Sequence, residues 1–324
     1  MGRPALYDAG GAEVMKRAGH VAVTVALWGT LCAGLAVRAY AAPPAQKLPS
    51  ALLVYPLIEA DEVGGDTRIE LVNLTGASQQ VQCFYVYGDT CNEIGFFIGL
   101  TPYQPLSWFA TQGLNDLSTG SSAPPFVGVG ELKCAVVPPE SATELSAHNT
   151  IQGRATVFRA DGRTVSFGAV GFQRLSPGQY TGEIQLNGST YAQCPDKLHF
   201  DVLADRPTGT PPTASELILL TCSEDLVLQT PKTITVQLLV VNEFEQAVSL
   251  ASTVTCFGRR TLGNFGGPLE RTTLGSDTAH LIVRGSEGPL LGLVIDDVPY
   301  AGLSGTAGNE PSFQGGRSAT VLLP

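Results

Sequence analysis

The chain has 324 residues, 19 of them basic and 29 acidic, for a net charge of −10; it carries 37 glycines and 22 prolines. That acidity excludes the basic footprint of a nucleic-acid binder and disfavours anionic lipid headgroups as partners. The length allows one large or two moderate domains, and few charges among many Thr, Val, Leu and turn residues point to a β-rich globular protein.

Residues 1–41 read as a secretory signal peptide. Met15-Lys16-Arg17 is basic, 21–37 is apolar, and Ala39-Tyr40-Ala41 supplies the small residues of a cleavage site. Met15 is the expected true start, because the basic pair follows it directly. Residues 42–49 form a short leader. Everything beyond is expected to fold outside the cytoplasm, in the periplasm, on the cell surface or in the extracellular space. No later stretch approaches 18 unbroken apolar residues, so the mature chain is expected to have no membrane span.

Short strand signals then follow one another with turn residues between them. In the first half they cover 52–58, 67–73, 80–87, 96–101, 106–111, 129–137, 153–159, 164–172, 179–186 and 198–203. Segments 67–73 and 80–87 are expected to pair as a hairpin around Thr75-Gly76-Ala77-Ser78. Asp161-Gly162 marks a second hairpin. Residues 204–215 read A-D-R-P-T-G-T-P-P-T-A-S, a poor strand and a poor helix. The second half offers 216–221, 233–241, 249–257, 279–283, 290–295 and 318–322. No amphipathic helix of three turns is present to serve as a parallel crossover. The expected fold is all-β, with two consecutive immunoglobulin-like β-sandwich domains at 50–205 and 214–324, joined by the Pro-rich linker 206–213. A weak echo supports duplication: each half has an apolar strand ending in Asn (Asn73, Asn242), a polar turn, and a strand carrying Cys-Phe.

Six cysteines lie beyond the signal: Cys83, Cys91, Cys134, Cys194, Cys222 and Cys256. An even number in an oxidising compartment reads as disulfides. Cys222 and Cys256 are alone in the second half and are expected to pair. Among the three pairings open to the other four, Cys83–Cys134 with Cys91–Cys194 is preferred, because Cys83 and Cys134 sit mid-strand.

No catalytic motif stands out. Neither Gly302-Leu303-Ser304-Gly305 nor Gly285-Ser286-Glu287-Gly288 makes a nucleophile elbow, and His148, His199 and His280 are scattered. Glu59, Asp61, Glu62 and Asp66 around Gly64-Gly65 supply the oxygens that calcium takes, without EF-hand spacing; a solvated loop guarding a strand edge is the competing reading. No other cofactor is implied. Asp296-Asp297 reads as a polar turn. Tyr103 and Trp108 are a speculative ligand surface for sugar stacking, set against the commoner role of a lone Trp in a β-core.

Segments D-T-R-I-E-L-V-N-L-T-G at 66–76, V-Q-C-F-Y-V at 81–86, Q-P-L-S-W at 104–108, E-L-K-C at 131–134, V-V-N-E-F-E-Q at 240–246 and V-T-C-F at 254–257 resemble uncharacterised exported bacterial proteins. The resemblance implies an exported β-rich protein and no activity. The expected function is that of a non-enzymatic structural or adhesive protein of the cell envelope or extracellular space, with a protein or glycan partner. Two alternatives are a carbohydrate-binding or carbohydrate-active protein, and an assembly partner that works by β-strand pairing.

Overall fold

A computed structural model describes residues 48–61, 64–116, 118–138, 144–145, 149–206, 213–265, 269–300 and 303–324. The signal segment, most of the leader, Glu62, His148 and most of the linker lie outside the described residues.

The regular structure of the described residues is almost entirely strand. In order, β1 (Leu52–Ala60), β2 (Asp66–Asn73), β3 (Gln79–Tyr87), β4 (Glu93–Leu100), β5 (Pro105–Phe109), β6 (Leu114–Asp116), β7 (Ser121–Ala123), β8 (Gly128–Val137), β9 (Glu144–Leu145), β10 (Ile151–Phe158), β11 (Thr164–Gly168), β12 (Val170–Phe172), β13 (Gly178–Gln179), β14 (Glu183–Leu186) and β15 (Lys197–Leu203) precede the linker. After it come β16 (Ala214–Thr221), β17 (Glu224–Asp225), β18 (Thr233–Asn242), β19 (Ala247–Thr255), β20 (Phe257–Thr261), a 3₁₀ turn (Leu262–Phe265), the short helix α1 (Arg271–Leu274), β21 (Thr278–Gly285), β22 (Leu290–Tyr300), β23 (Leu303–Asn309), β24 (Ser312–Gln314) and β25 (Ala319–Leu322).

A seven-stranded sheet in the order β12-β1-β8-β3-β4-β7-β6 packs against a four-stranded sheet in the order β11-β10-β2-β5. Alternation explains the second sheet. Ile69 and Leu71 of β2, Ala155 and Val157 of β10, and Val165 and Phe167 of β11 point into the core, while Arg68, Arg154 and Ser166 point out. Tyr55 spans the two sheets and donates its hydroxyl proton to the Glu70 carbonyl at 2.9 Å. A Cβ at Gly153 would lie 2.0 Å from that hydroxyl, so only glycine fits beneath it.

The third large sheet has the order β23-β22-β16-β20-β19-β18-β21-β15-β24. Between β20 and β19 it is joined only at Thr255↔Phe257, next to Cys256 at φ 45°, so it folds into two leaves around a second core. Strand β18 shows the clean alternation of a half-buried strand, with Ile234, Val236, Leu238 and Val240 inside. Strand β16 is a near-continuous apolar run because both its faces are covered. Leu217 and Leu219 enter the second core; Ile218 and Leu220 enter the first, with Leu291, Leu293 and Ile295 of β22.

The two halves of the sequence are therefore interlocked, and the described residues form one compact body. Strand β15, from before the linker, lies between β21 and β24. The C-terminal β25 pairs antiparallel with β14 and parallel with β17.

Several expectations change. Segments 67–73 and 80–87 do not form a hairpin: β2 pairs with β10 and β5, while β3 pairs with β4 and β8. The polar turn is a crossover between sheets, held by Asn73, whose side-chain amide donates to the Ala77 and Thr101 carbonyls. Asn242 plays the corresponding part in a true hairpin, with its side-chain oxygen accepting the Phe244 and Gln246 N–H groups between β18 and β19. The Asp161-Gly162 turn does join β10 to β11, with Gly162 at φ 83°. Asp296 and Asp297 are not a turn; β22 runs through them and pairs with β23, a strand whose sequence, L-S-G-T-A-G-N, carries little apolar signal.

Cys83–Cys134 forms as expected, between adjacent strands β3 and β8. The other pairings are corrected to Cys91–Cys256 and Cys194–Cys222, at sequence separations of 165 and 28. The expected Cys222–Cys256 and Cys91–Cys194 bridges assumed that each half closes on itself. The shared core instead brings the β3–β4 turn against the β19–β20 corner. Three disulfides fit an oxidising environment, and among the described residues no helix is long and apolar enough to cross a membrane.

Candidate functional site

The outward face of the four-stranded sheet is concave and encloses about 740 Å³. Period-two alternation puts Arg68 and Glu70 of β2, Ser107 of β5, Gln152 and Arg154 of β10, and Ser166 of β11 on this face. Glu70 lies between two guanidiniums, at 3.1 Å from Arg68 and 3.9 Å from Arg154. Arg154 also donates to the Ser166 hydroxyl at 3.2 Å, and Arg68 to that of Ser107 at 3.4 Å. Glu310, from the second half, closes the rim and accepts the Gly168 N–H at 2.7 Å. At one end of the same face the rings of Phe109 and Phe158 sit 6.0 Å apart. The result is a sheet surface carrying donors, acceptors and an aromatic pair. No sequence motif announced it, because its members come from four strands and meet only through register.

The speculative sugar-stacking surface at Tyr103 and Trp108 does not form, and Trp108 takes the core role set against it. Trp108 is 4% exposed and donates its indole N–H to the Tyr85 hydroxyl at 2.7 Å, beside Phe96. Tyr103 is 68% exposed at a loop tip with φ 56°. Strand alternation turns Trp108 inward with Ile69, opposite it in β2. Tyr85→Phe strands the buried indole N–H and is expected to cost about 1–3 kcal/mol. Tyr103→Ala is expected to stay within about 0.5 kcal/mol of the parent. Denaturant melts followed by Trp108 fluorescence separate the two.

Among the described residues, the carboxylates considered for calcium have protein partners. Glu59 faces Arg259 at 3.0 Å and Arg159 at 3.7 Å; Asp61 accepts the Gly65 N–H; Asp66 accepts the N–H groups of Thr67 and Thr111. Among the described residues no cluster of His, Cys, Asp and Glu is arranged to hold a metal. Glu59 instead belongs to a network between the halves. Arg159 reaches Glu216 at 2.8 Å and Asp297 at 3.3 Å, and Arg259 reaches Glu216 at 2.6 Å.

Two further clusters were invisible in the sequence. His199 and His280, adjacent across β15 and β21, bring Nδ1 and Nε2 to 3.1 Å; Asp201 meets His280 Nδ1 at 3.0 Å, and Gln314 meets His199 Nε2 at 3.1 Å. Lys133 of β8 is fully buried between Glu131, 2.7 Å away, and Glu224 of β17. Burial pushes the Glu131 carboxyl up to about 8, against the pull of Lys133. Burial alone would lower the Lys133 ammonium, but the two carboxylates outweigh it and hold the proton.

No protein-family description and no curated protein matches the chain. Among solved structures, the crystal structure of Thermotoga maritima 1070 is similar over 38% of this chain and 98% of its own length, at 10% identity and a TM-score of 0.29. Overlap at that level carries no argument about fold or function.

Proposed function

We propose that the chain is an exported, non-enzymatic adhesive protein of the cell envelope or extracellular space, built of immunoglobulin-like sandwich layers that 50–205 and 214–324 share, and that it binds a glycan on the outer face of the four-stranded sheet. One observation carries the reading: the concave face with Arg68, Glu70, Ser107, Arg154 and Ser166 fixed in register beside Phe109 and Phe158. Planar guanidinium and carboxylate groups read hydroxyl pairs by parallel hydrogen bonds, and a preformed face binds without ordering loops. Glu70 and Glu310 are each held in place, by guanidiniums and by an amide N–H, which suits them to positioning a ligand. The disulfides that link segments on both sides of the linker suit a protein that must hold its shape outside the cell.

The test is a glycan array probed with the oxidised chain, followed by titration of any retained glycan. Arg154→Ala is expected to weaken binding about tenfold, a loss of about 1.4 kcal/mol. Retention of no glycan by the folded chain, or equal binding by Arg154→Ala, overturns the reading.

A further inference from the structure

The buried triad of Lys133, Glu131 and Glu224 takes no part in the glycan face. Glu131 and Lys133 alternate onto one side of β8, and Glu224 reaches them from β17, beyond the linker. Lys133 Nζ is 2.7 Å from Glu131 and touches a carboxylate oxygen of Glu224. The surroundings are apolar. Val54 of β1 and Phe84 of β3 stand beside Lys133 in the sheet, Val86 of β3 stands beside Glu131, and all three are buried. Among the described residues, no group outside the triad bonds to any of its side-chain nitrogen and oxygen atoms. Charges held in this way are costly to keep out of water.

Both ends of the contact are also anchored. Cys134, next to Lys133, is bonded to Cys83, and Cys222, close before Glu224, is bonded to Cys194. Two groups fixed against each other react as if at about 10⁵ M or more.

We infer that Lys133 and Glu224 condense after folding into an amide that joins β8 to β17, with Glu131 relaying the protons. Lys133 Nζ first passes one proton to the Glu224 oxygen it touches, which leaves a neutral amine beside a neutral carboxyl group. The Nζ lone pair attacks Cδ of Glu224. Glu131 gives its proton to the departing hydroxyl, the C–O bond breaks, and water leaves. Glu131 then takes a second proton from Nζ, so the amide keeps one and Glu131 is restored. Nothing is oxidised or reduced. An ammonium and a carboxylate become a neutral amide, which removes two buried charges. Burial raises the Glu131 carboxyl and so suits it to the donor's part. The carboxylates hold Lys133 as an ammonium, so the attacking amine is a minor form, and the freshly folded chain carries the ion triad first. Because β17 pairs with β25, the amide ties the first half to the C-terminal strand without sulfur.

Intact-mass measurement on the oxidised, folded chain at intervals after refolding tests this. The parent is expected to lose one water, about 18 Da, at a rate independent of protein concentration. After reduction and trypsin digestion, the peptide holding Lys133 is expected to be joined to the one holding Glu224. A chain cut in the linker is expected to give two bands in reductant while fresh, and one after the loss. Glu224→Gln makes ammonia the leaving group, and its expected loss is about 17 Da. Glu131→Gln is expected to fold and to condense about 100-fold more slowly. A folded parent that keeps its full mass, a water lost from any other pair of residues, or a folded Glu131→Gln chain that condenses at the parental rate overturns the inference.

Discussion

Lys133→Met is expected to destabilise the protein by about 3–5 kcal/mol, because it leaves two buried carboxylates without their cation. Lys133 is contributed by β8 and Glu224 by β17, so the triad ties the seven-stranded sheet to the segment that pairs with the C-terminal strand. Burial holds the proton on Glu131 well above the ordinary carboxylate range. The sign of the pH dependence follows. With the folded pKa of Glu131 raised to about 8, the unfolded chain releases a proton that the folded chain retains, so stability falls as pH rises from the ordinary carboxylate range through about 8. Glu131→Gln removes that slope and leaves Lys133 with Glu224. The deficit of Lys133→Met is expected to be largest above pH 8 and to shrink in acid. Urea midpoints measured across pH for the three proteins check both statements. A midpoint for Lys133→Met equal to the parent's would mean that the triad carries no net stabilisation.

Replacing Cys91 and Cys256 together by Ser is the second large effect. The bridge closes 165 residues. Loop-closure entropy for a span of that size is worth about 5 kcal/mol, and measured losses for native disulfides run about 2–5. The change is also qualitative. With Cys91–Cys256 and Cys194–Cys222 both crossing the linker, a protease site inserted between Arg206 and Thr213 is expected to give one band without reductant and two with it. The nicked, oxidised protein is expected to melt in a single transition, because Ile218, Leu220, Leu291, Leu293 and Ile295 fill the same core as the first-half strands. Two separate transitions would mean that each half is stable alone.

Much of the fold was legible. Strand placement followed from period-two patterns, as in β2, β10 and β18, and from turn residues such as Gly162. The signals that failed share one cause: each required a decision about which elements meet. The turn after Asn73 reads the same whether the chain doubles back or crosses to another sheet. Strand β23 carries little apolar pattern, and its place follows from its pairing with β22. Residues His199 and His280 lie 81 apart in sequence and become neighbours only through the β15–β21 register. The candidate ligand face was missed for the same reason. Trp108 drew attention as a rare residue, yet the register of β5 on β2 turns it inward and leaves Arg68, Glu70 and Arg154 to line the surface.

From its own composition and periodicity, the polypeptide determined an all-β, turn-rich, disulfide-bonded protein. These properties depend on local alternation, on backbone preferences, and on the chemistry of a residue type. Tertiary packing decided which strands share a sheet, which cysteines close the long loops, and which side chains gather outside the four-stranded sheet. Strand β16 buries both of its faces, so neither half of the chain can complete its core without the other, and no local pattern records that dependence.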